Sequence, residues 1–491
     1  MFKSFPATLG ILALTGLLRS QEVPADAPSL NVVLITVDDM NCDSVGVYGC
    51  QVPDITPNID ALAAAGMRFE HAHVTIAICQ PTRAVWMTGR YPHRSGALGF
   101  NPIHAGVPTL VEALQEGGYY TGILGKIPHV VPTRKHAWDE SHPANLLKNG
   151  RDPNGYHRLS AAFLENAKKA GKPFFLMANA QDPHRPFANS AQEQRKRPKN
   201  KAKAKNKAKN ANAASREIAG VRRTYGPDEV TLPAFLPDLP KVRQEMAEYF
   251  TSVHRADETV GAVLRAIDEA GLKGQTMVLF LSDHGMPLPF AKTNCWRHST
   301  RTPWIIRWPD VVAAGAHDRK HLVSGIDLAP TVLDAIGLPQ LPGVDGRSFL
   351  PVLHGGEQTG RDQVFTHINS TAGKRGFPMR SLLTRRYGYI FNAWADGQTL
   401  FRNESQNGLT MNAMKQAAQA DETIAARVKF FLYRTTEEFY DYQTDPDALH
   451  NLIDDPAQAK RIAHFRKQLL EKMQATEDPQ LQAFRERVMT K

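Results

Sequence analysis

The chain has 491 residues, 42% of them hydrophobic and 22% charged, which excludes both a largely disordered protein and a bundle of membrane helices. Its length allows two to four domains. The formal net charge of +10 comes from one segment, because residues 191–223 contain twelve lysines and arginines and only two acidic residues. The remainder is close to neutral, so we expect no nucleic-acid partner.

The N-terminus has the pattern of a secretory signal peptide. Lys3 provides a positive charge, an apolar run extends from Phe5 to Leu18, and polar residues begin near Arg19. We therefore predict a signal peptide over residues 1–20 and an exported protein, periplasmic or secreted. The alternative is a buried first helix. No later segment is long and apolar enough to span a bilayer, so no membrane span is expected.

Strands and helices alternate along the next part of the chain. The apolar, β-branched run from Asn31 to Val37 is typical of a strand that is buried on both faces of a parallel sheet. Helical patterns cover Thr56–Gly66 and Gln244–Ala270. Further predicted strands are Gly122–Gly125, Phe174–Asn179, Met277–Ser282 and Trp304–Arg307. The alternation predicts an α/β fold with a large, mostly parallel sheet flanked by helices, over residues 28–358.

A basic, low-complexity segment interrupts this pattern at residues 193–214. It is rich in Lys, Asn and Ala and has no apolar positions. We interpret it as a solvated insertion in a loop. The alternative is an anchor for an acidic polysaccharide or a cell surface.

The pattern of predicted elements changes beyond Gly355. Short β-like runs occur at Ser381–Thr384 and Tyr387–Asn392, and a helical tail begins at Pro456 after Glu438-Phe-Tyr-Asp. These features predict a smaller C-terminal α+β domain over residues 359–491.

Polar side chains follow two of the predicted buried strands. Asp38 and Asp39 come directly after the first, and Asp283 and His284 follow Met277–Ser282. Open α/β sheets place ligands at the carboxyl ends of their strands. Adjacent carboxylates repel each other and lose hydration when buried, and a hard divalent cation such as Ca²⁺ relieves both costs. For the first pair alone, a solvated turn is an equally good reading.

The four cysteines are too few for a disulfide scaffold, and pairing of Cys42 with Cys50 stays open. Cys79 lies in a distinctive string, Cys-Gln-Pro-Thr-Arg83, followed by Thr88-Gly-Arg90. The alternative for an isolated cysteine would be a simple buried thiol. Arg83 lies one helical turn beyond Cys79, so it can orient groups around it.

Further charged and ionisable residues follow strands or lie close after them. Lys126 and His129 come after Gly122–Gly125, and Lys292 lies seven residues beyond Gly285. The third group follows Phe174–Asn179 and contains Asp182, His184 and Arg185. Lysine and histidine suit anion binding and proton transfer. Each group alone also fits an ordinary surface or loop.

Together these motifs resemble the type I, formylglycine-dependent sulfatases of the alkaline phosphatase superfamily, over nearly all of residues 30–455. Within that family the chain is most similar to the N-sulfoglucosamine sulfohydrolase (sulfamidase) group. The segments that carry the narrower resemblance are Asp182–Arg185, Asp228–Asp238, Gly285–Phe290 with Thr293-Asn294, and Phe377–Arg380. Two details depart from the family pattern. One extra residue separates Lys126 from His129, and Asp-His replaces the common Asp-Asn at position 283.

The resemblance implies a site and a mechanism. Its Ca²⁺ ligands are Asp38, Asp39, Asp283, His284 and the residue at position 79. Cys79 becomes formylglycine, whose hydrate attacks sulfur, while Arg83 holds the hydrate and ligands in place. Lys126, Lys292 and His184 neutralise the sulfuryl group, His184 protonates the leaving group, and His129 removes a proton from the remaining hydroxyl. Asp182, Arg185 and Arg380 are expected to contact the substrate.

The implied activity is hydrolysis of a sulfate group from a sulfated sugar or glycosaminoglycan fragment, and most specifically of the N-sulfate of glucosamine in heparan-type glycans. A carbohydrate O-sulfatase, a formylglycine-dependent phosphoester or phosphonate hydrolase, and a non-enzymatic glycan-binding relative are the alternatives. The implied partners are the sulfated substrate and a formylglycine-generating enzyme. The oligomeric state stays open, with a homodimer as one option.

Overall fold

The computed structural model describes residues 30–130, 138–196, 221–372 and 375–490, apart from the side chains of residues 195 and 196. The predicted signal peptide and most of the basic insertion lie outside the described residues. No helix in the described part of the chain is long and apolar enough to cross a membrane.

An eight-stranded sheet forms the centre of the molecule. Its strands are β1 Asn31–Asp38, β2 Met67–His73, β3 Tyr120–Leu124, β4 Glu140–His142, β5 Phe174–Pro183, β6 Thr276–Ser282, β7 Trp304–Arg307 and β8 Ala316–Ser324. They are arranged in the order β4-β3-β5-β1-β6-β7-β2-β8. Only β7 runs antiparallel to its neighbours, so the predicted mostly parallel sheet is confirmed.

Helices surround this sheet. They are α1 Pro57–Ala64, α2 Cys79–Thr88, α3 Pro92–Ser95, α4 Leu110–Glu116, α5 Ile127–Val130, α6 Pro153–Ala170, α7 Ala191–Lys196, α8 Pro240–Glu269, α9 Arg297–Thr300, α10 Leu328–Ala335 and α11 Leu350–Leu353. The two predicted helices correspond to α1 and α8. Each begins with a proline, which costs nothing at the first helical position because that N–H has no intrahelical partner.

The first strand explains why the sheet is covered on both faces. Val33, Ile35 and Val37 belong to one hydrophobic cluster, while Val32 and Leu34 belong to a second. Successive side chains of a strand point to opposite faces, so a strand with no polar alternation must be buried on both. β1 therefore lies at the middle of the sheet, between β5 and β6.

A separate four-stranded antiparallel sheet follows along the chain. Its strands are β9 Gln363–Ser370, β10 Gly376–Thr384, β11 Tyr387–Asn392 and β12 Glu437–Asp441, in the order β12-β11-β10-β9. The accompanying helices are α12 Leu409–Ala417, α13 Glu422–Tyr433, α14 Ala459–Ala475 and α15 Leu481–Phe484. The smaller α+β unit is therefore present. The exact boundary at residue 359 stays a prediction.

The two sheets share one hydrophobic cluster, which includes Ile35 of β1 and Phe391 of β11. A buried carboxylate also joins them. Glu438 of β12 accepts hydrogen bonds from Arg434 Nε (2.7 Å) and from Trp296 Nε1 (2.8 Å), which precedes α9. Asn392 Nδ2 (2.6 Å) and the Tyr440 hydroxyl (2.7 Å) complete its contacts. We call this group the Glu438 network.

Candidate active site

Three neighbouring strands deliver the site residues to one edge of the large sheet. Asp38 is the last residue of β1, Asp283 follows β6, and His184 follows β5. β1 lies between the other two strands, so their carboxyl ends converge. Asp39 turns out of β1 with a positive φ of 69°, a strained conformation for a non-glycine residue that places its carboxylate beside those of its neighbours.

The acidic residues form one fully buried cluster. Asp39 N–H donates to Asp283 Oδ1 (2.9 Å), and His284 Nε2 lies 3.1 Å from Asp39 Oδ1. The potential ligand atoms of Asp39, Asp283 and His284 all lie within 4.8 Å of one another. Burial and the charge of Asp38 raise the pKa of Asp283 well above its ordinary value. The sequence-predicted set Asp38, Asp39, Asp283 and His284 is thus brought together.

The chemistry of this cluster fits a divalent cation. His284 Nδ1 lies 2.9 Å from the carbonyl oxygen of Gly285, so Nδ1 carries the proton and the lone pair of Nε2 faces the carboxylates. Nε2 has no hydrogen-bond partner although the ring is fully buried, and neither has the nearby buried Asn41 Oδ1. A cation would satisfy these electron-rich atoms, and oxygen-dominated ligand sets suit Ca²⁺.

Cys79 and Arg83 are presented by α2, every residue of which is buried. Cys79 is the first residue of the helix and is 5% exposed. One turn later, Arg83 Nη1 donates to Thr36 Oγ1 (2.8 Å) and Nη2 to Asp38 Oδ1 (3.1 Å). Nη2 also lies 3.3 Å from Asp283 Oδ2. Arg83 therefore ties the start of α2 to the acidic cluster.

Two buried lysines flank the cluster. Lys126 Nζ contacts Asp38 Oδ2, and Lys292 Nζ donates to both oxygens of Asp39, at 2.9 and 2.8 Å. Burial alone would lower the pKa of Lys292, but the adjacent carboxylates raise it above its ordinary value. The pocket thus combines a cation-binding cluster with two lysines suited to an anionic substrate.

Two histidines complete the predicted set. His184 Nδ1 lies 2.6 Å from the carbonyl oxygen of Arg185, which leaves Nε2 facing the pocket, 4.0 Å from Asp39 Oδ2. Burial lowers the pKa of His184. Burial and the charge of Lys126 lower the pKa of His129 to about 3, so its ring is neutral. The extra residue between Lys126 and His129 forms part of the short helix α5.

The three residues predicted to bind substrate are engaged elsewhere. Asp182 accepts from Arg255 Nε (2.5 Å) and Nη2 (2.9 Å), so it is neutralised within the core. Arg185 Nη2 donates to Oε1 of the buried Glu245 (2.9 Å). Arg380, whose side chain is fully buried, donates from Nε to Asp478 Oδ2 (2.5 Å). None of these contacts joins the acidic cluster. The geometry gives all three a structural role, and Arg185 additionally lines a cavity.

Sequence reasoning missed Glu404, which lies in a short 3₁₀ turn, Glu404–Asn407, of the C-terminal unit. Its Oε2 is 2.9 Å from Lys292 Nζ and its Oε1 is 3.5 Å from His184 Nε2. Lys292 holds the pKa of this carboxyl well below its ordinary value. No motif marks Glu404, because it reaches the site only through tertiary packing. Gln181 of β5 also reaches the cluster, with Nε2 donating to Asp38 Oδ2 (3.3 Å).

Comparison with known proteins agrees with this geometry. The sulfatase family model matches residues 30–338, and a model described as N-sulphoglucosamine sulphohydrolase, C-terminal, matches residues 283–428. Human N-sulphoglucosamine sulphohydrolase is 28% identical over 96% of this chain and 94% of its own length. An ulvan-active sulfatase of Formosa agariphila is 26% identical over 89% of this chain and 74% of its own length.

Solved structures share the fold. One, in complex with its substrate D-glucosamine-2-N,6-O-disulfate, has a TM-score of 0.67 at 18% identity and covers 92% of this chain and 99% of its own. The phosphonate monoester hydrolase of Agrobacterium radiobacter has a TM-score of 0.64 at 19% identity, with 91% and 96% coverage. Because the family model spans well over half of the sequence, this chain belongs to the sulfatase family.

Proposed function

We propose that this member of the sulfatase family removes the N-sulfate group from glucosamine in heparan-type glycans. The observation that carries the sulfatase chemistry is the convergence of two lysines and an acidic cluster at one sheet edge, against the start of α2, where Cys79 lies and which Arg83 ties to Asp38. The N-sulfate is supported by two likenesses. These are the match of residues 283–428 to the N-sulphoglucosamine sulphohydrolase C-terminal model and the alignment with the human enzyme along nearly the whole chain.

Two groups complete the proposed site. Asp38, Asp39, Asp283 and His284 would hold Ca²⁺, which would supply Lewis acidity, and a formylglycine made from Cys79 by a formylglycine-generating enzyme would supply a hydrated aldehyde as the nucleophile. Arg83, fixed by Thr36 and Asp38, keeps the first turn of α2 against the cluster.

The protein's own side chains then act on the substrate. Lys126 and Lys292 approach from two sides and stabilise the negative charge of the sulfuryl group during transfer. The doubly protonated His184 ring would deliver its Nε2 proton to the leaving nitrogen, since the Nδ1–H is committed to a backbone carbonyl. His129, held neutral by burial, is able to accept a proton on the opposite side.

The test uses protein co-expressed with a formylglycine-generating enzyme. Sulfate release is measured from N-sulfoglucosamine, glucosamine 6-sulfate and an aryl sulfate, beside a phosphonate monoester because a solved hydrolase of that class shares the fold. Release from N-sulfoglucosamine alone supports the proposal. Release only from the O-sulfated compounds identifies an O-sulfatase, and turnover of the phosphonate alone overturns the sulfatase assignment.

Cys79→Ala serves as the blank in that assay. We expect it to abolish turnover while the thermal unfolding midpoint stays within a few degrees of wild type, and Cys79→Ser to fail as well, because one hydroxyl lacks the second oxygen of an aldehyde hydrate. Appreciable turnover by either variant would contradict the role of residue 79.

We also propose that residues 1–20 direct export. The support is the sequence pattern of a positive start and a short apolar run. N-terminal sequencing of the protein recovered from the periplasm or the medium is expected to begin downstream of residue 20. Recovery of the intact N-terminus in the cytoplasmic fraction would contradict export.

A further inference from the structure

Glu404 stands out because it places a carboxylate in a pocket built for an anion. Its two oxygens bridge Lys292 Nζ (2.9 Å) and His184 Nε2 (3.5 Å), two groups proposed to act on the substrate. About 30% of the side chain is exposed, whereas Asp39, on the other side of Lys292, is fully buried. Glu404 therefore borders the open side of the site.

The segment that carries Glu404 is fixed against the pocket. Asn403 Nδ2 donates to the carbonyl oxygen of Lys292 (2.9 Å), and the Ser405 hydroxyl donates to Asn403 Oδ1 (2.7 Å). Gln406 Nε2 closes the turn onto Phe401 O (2.8 Å). The carboxylate is thus held in position by its neighbours and is not a loosely placed surface charge.

A carboxylate at this position carries an electrostatic cost. It repels an incoming sulfate, and Lys292 already has Asp39 as a partner. A carboxylate accepts up to about four hydrogen bonds; Lys292 occupies one of these positions, and His184 Nε2 lies 3.5 Å from the other oxygen. Because about 30% of the side chain is exposed, the remaining acceptor positions are open to a group of a bound substrate.

We propose that Glu404 is a specificity-determining residue whose carboxylate accepts a hydrogen bond from the N–H of a sulfamate. This inference rests on the proposed N-sulfatase function. A sulfamate carries a hydrogen on the atom attached to sulfur, and a sulfate ester has none. A site built to pair with an N–H rejects the analogue that lacks it, because the acceptor then stays unpaired. The released amine is cationic at neutral pH, so the same carboxylate also stabilises the product.

The surroundings leave room for the rest of the glycan. Asn407 and Gly408, which follow Glu404 on the same segment, line a cavity of about 510 Å³. Arg185, the neighbour of His184, lines the same cavity. A sugar bound through Glu404 would have this space for its adjoining units.

The experiment compares two ligands that differ in one atom: N-sulfoglucosamine and glucose 2-sulfate, in which oxygen replaces the N–H. Dissociation constants are measured by calorimetry in the inactive Cys79→Ala background, with and without Glu404→Ala. We expect the background protein to bind the sulfamate about tenfold tighter, and Glu404→Ala to remove that preference. Glu422→Ala, an exposed glutamate at the start of α13, is the matched control and keeps the ratio.

An unchanged ratio in Glu404→Ala overturns the inference. Equal weakening of both ligands also overturns it, because Glu404 would then act only by positioning Lys292 and His184. Glu404→Leu, closer in size, replaces the alanine variant if that variant unfolds. Turnover of N-sulfoglucosamine by the wild type is measured in parallel. Its absence refutes the proposed function, whereas its presence with an unchanged ratio refutes only the role of Glu404.

Discussion

Replacing Glu438 with glutamine tests whether the Glu438 network holds the two sheets together. The carboxylate is fully buried and accepts four hydrogen bonds, from Arg434, Asn392, Trp296 and Tyr440. Glutamine keeps the shape but loses the charge, and its amide group faces donors where an acceptor is needed. Arg434 is left without its charge partner in the core.

The expected decrease in the free energy of unfolding follows from the cost of leaving a buried charge unpaired. Removing one partner of a buried ion pair destabilises a protein by about 3–5 kcal/mol. Unfolding entropy of roughly 2 cal/mol/K per residue gives about 1 kcal/mol/K for a chain of this size, so the thermal midpoint should fall by about 3–5 °C. Trp296 belongs to the same loop as Lys292, so we also expect sulfate release to decrease.

Differential scanning calorimetry measures the midpoint, and a double-mutant cycle isolates the pair. In Glu438→Gln/Arg434→Met the unpaired charge is gone, so this protein should be more stable than the sum of the two single losses predicts. Glu357→Gln, in an exposed pair with Lys320, is the control and should change the midpoint by less than about 1 °C. A Glu438→Gln midpoint equal to that of the control would refute the reasoning.

Three further outcomes are expected. His298, paired with Asp43 (3.3 Å), has a pKa raised to about 9 because hydrogen bonds and the charge of the carboxylates outweigh burial. Its protonation therefore adds about 3 kcal/mol to the free energy of unfolding below pH 6.5, and this contribution is lost as the pH rises through 9. Urea unfolding between pH 6 and 9.5 should show this slope, and His298→Gln should flatten it. Ca²⁺ should raise the thermal midpoint of the wild type, and a similar rise in Asp39→Asn would exclude the cluster as its site. Lys292→Ala should lower kcat by about 100-fold or more, and a change below fivefold would contradict its role in charge stabilisation.

Much of the large sheet could be predicted because its central strands carry their own signal. β1 and β6 are uninterrupted apolar runs, and the observed bounds extend the predicted ones by one residue each. β2, β4 and β8 were not predicted. Two of them, β4 and β8, lie at the edges of the sheet, where polar residues face solvent. Edge strands lack the continuous apolar pattern, so single-sequence periodicity does not reveal them.

The site divides in a similar way. Asp38 and Asp283 were predictable because they stand at strand ends, which the sheet edge gathers, whereas Cys79 was predictable from the resemblance of its string to the sulfatase motif. Arg380 was predicted to meet substrate, but its pairing with Asp478, 98 residues away, depends on packing between β10 and the C-terminal segment. Glu404 is the reverse case, since it is brought to Lys292 by a contact spanning more than a hundred residues. Local sequence contains neither contact.

The reach of the C-terminal unit bears on how such proteins are divided and recombined. The match to the sulfatase model ends at residue 338, yet Lys292 pairs with Glu404, and Trp296 donates its hydrogen bond to Glu438, both beyond that residue. Cutting the chain after the matched region would strip the pocket of one wall and open the shared core to water. The region with the large sheet is therefore not expected to work without the C-terminal unit. A chimaera of two such proteins should take the C-terminal unit and the loop at residues 285–296 from the same parent, so that the contacts between them are kept.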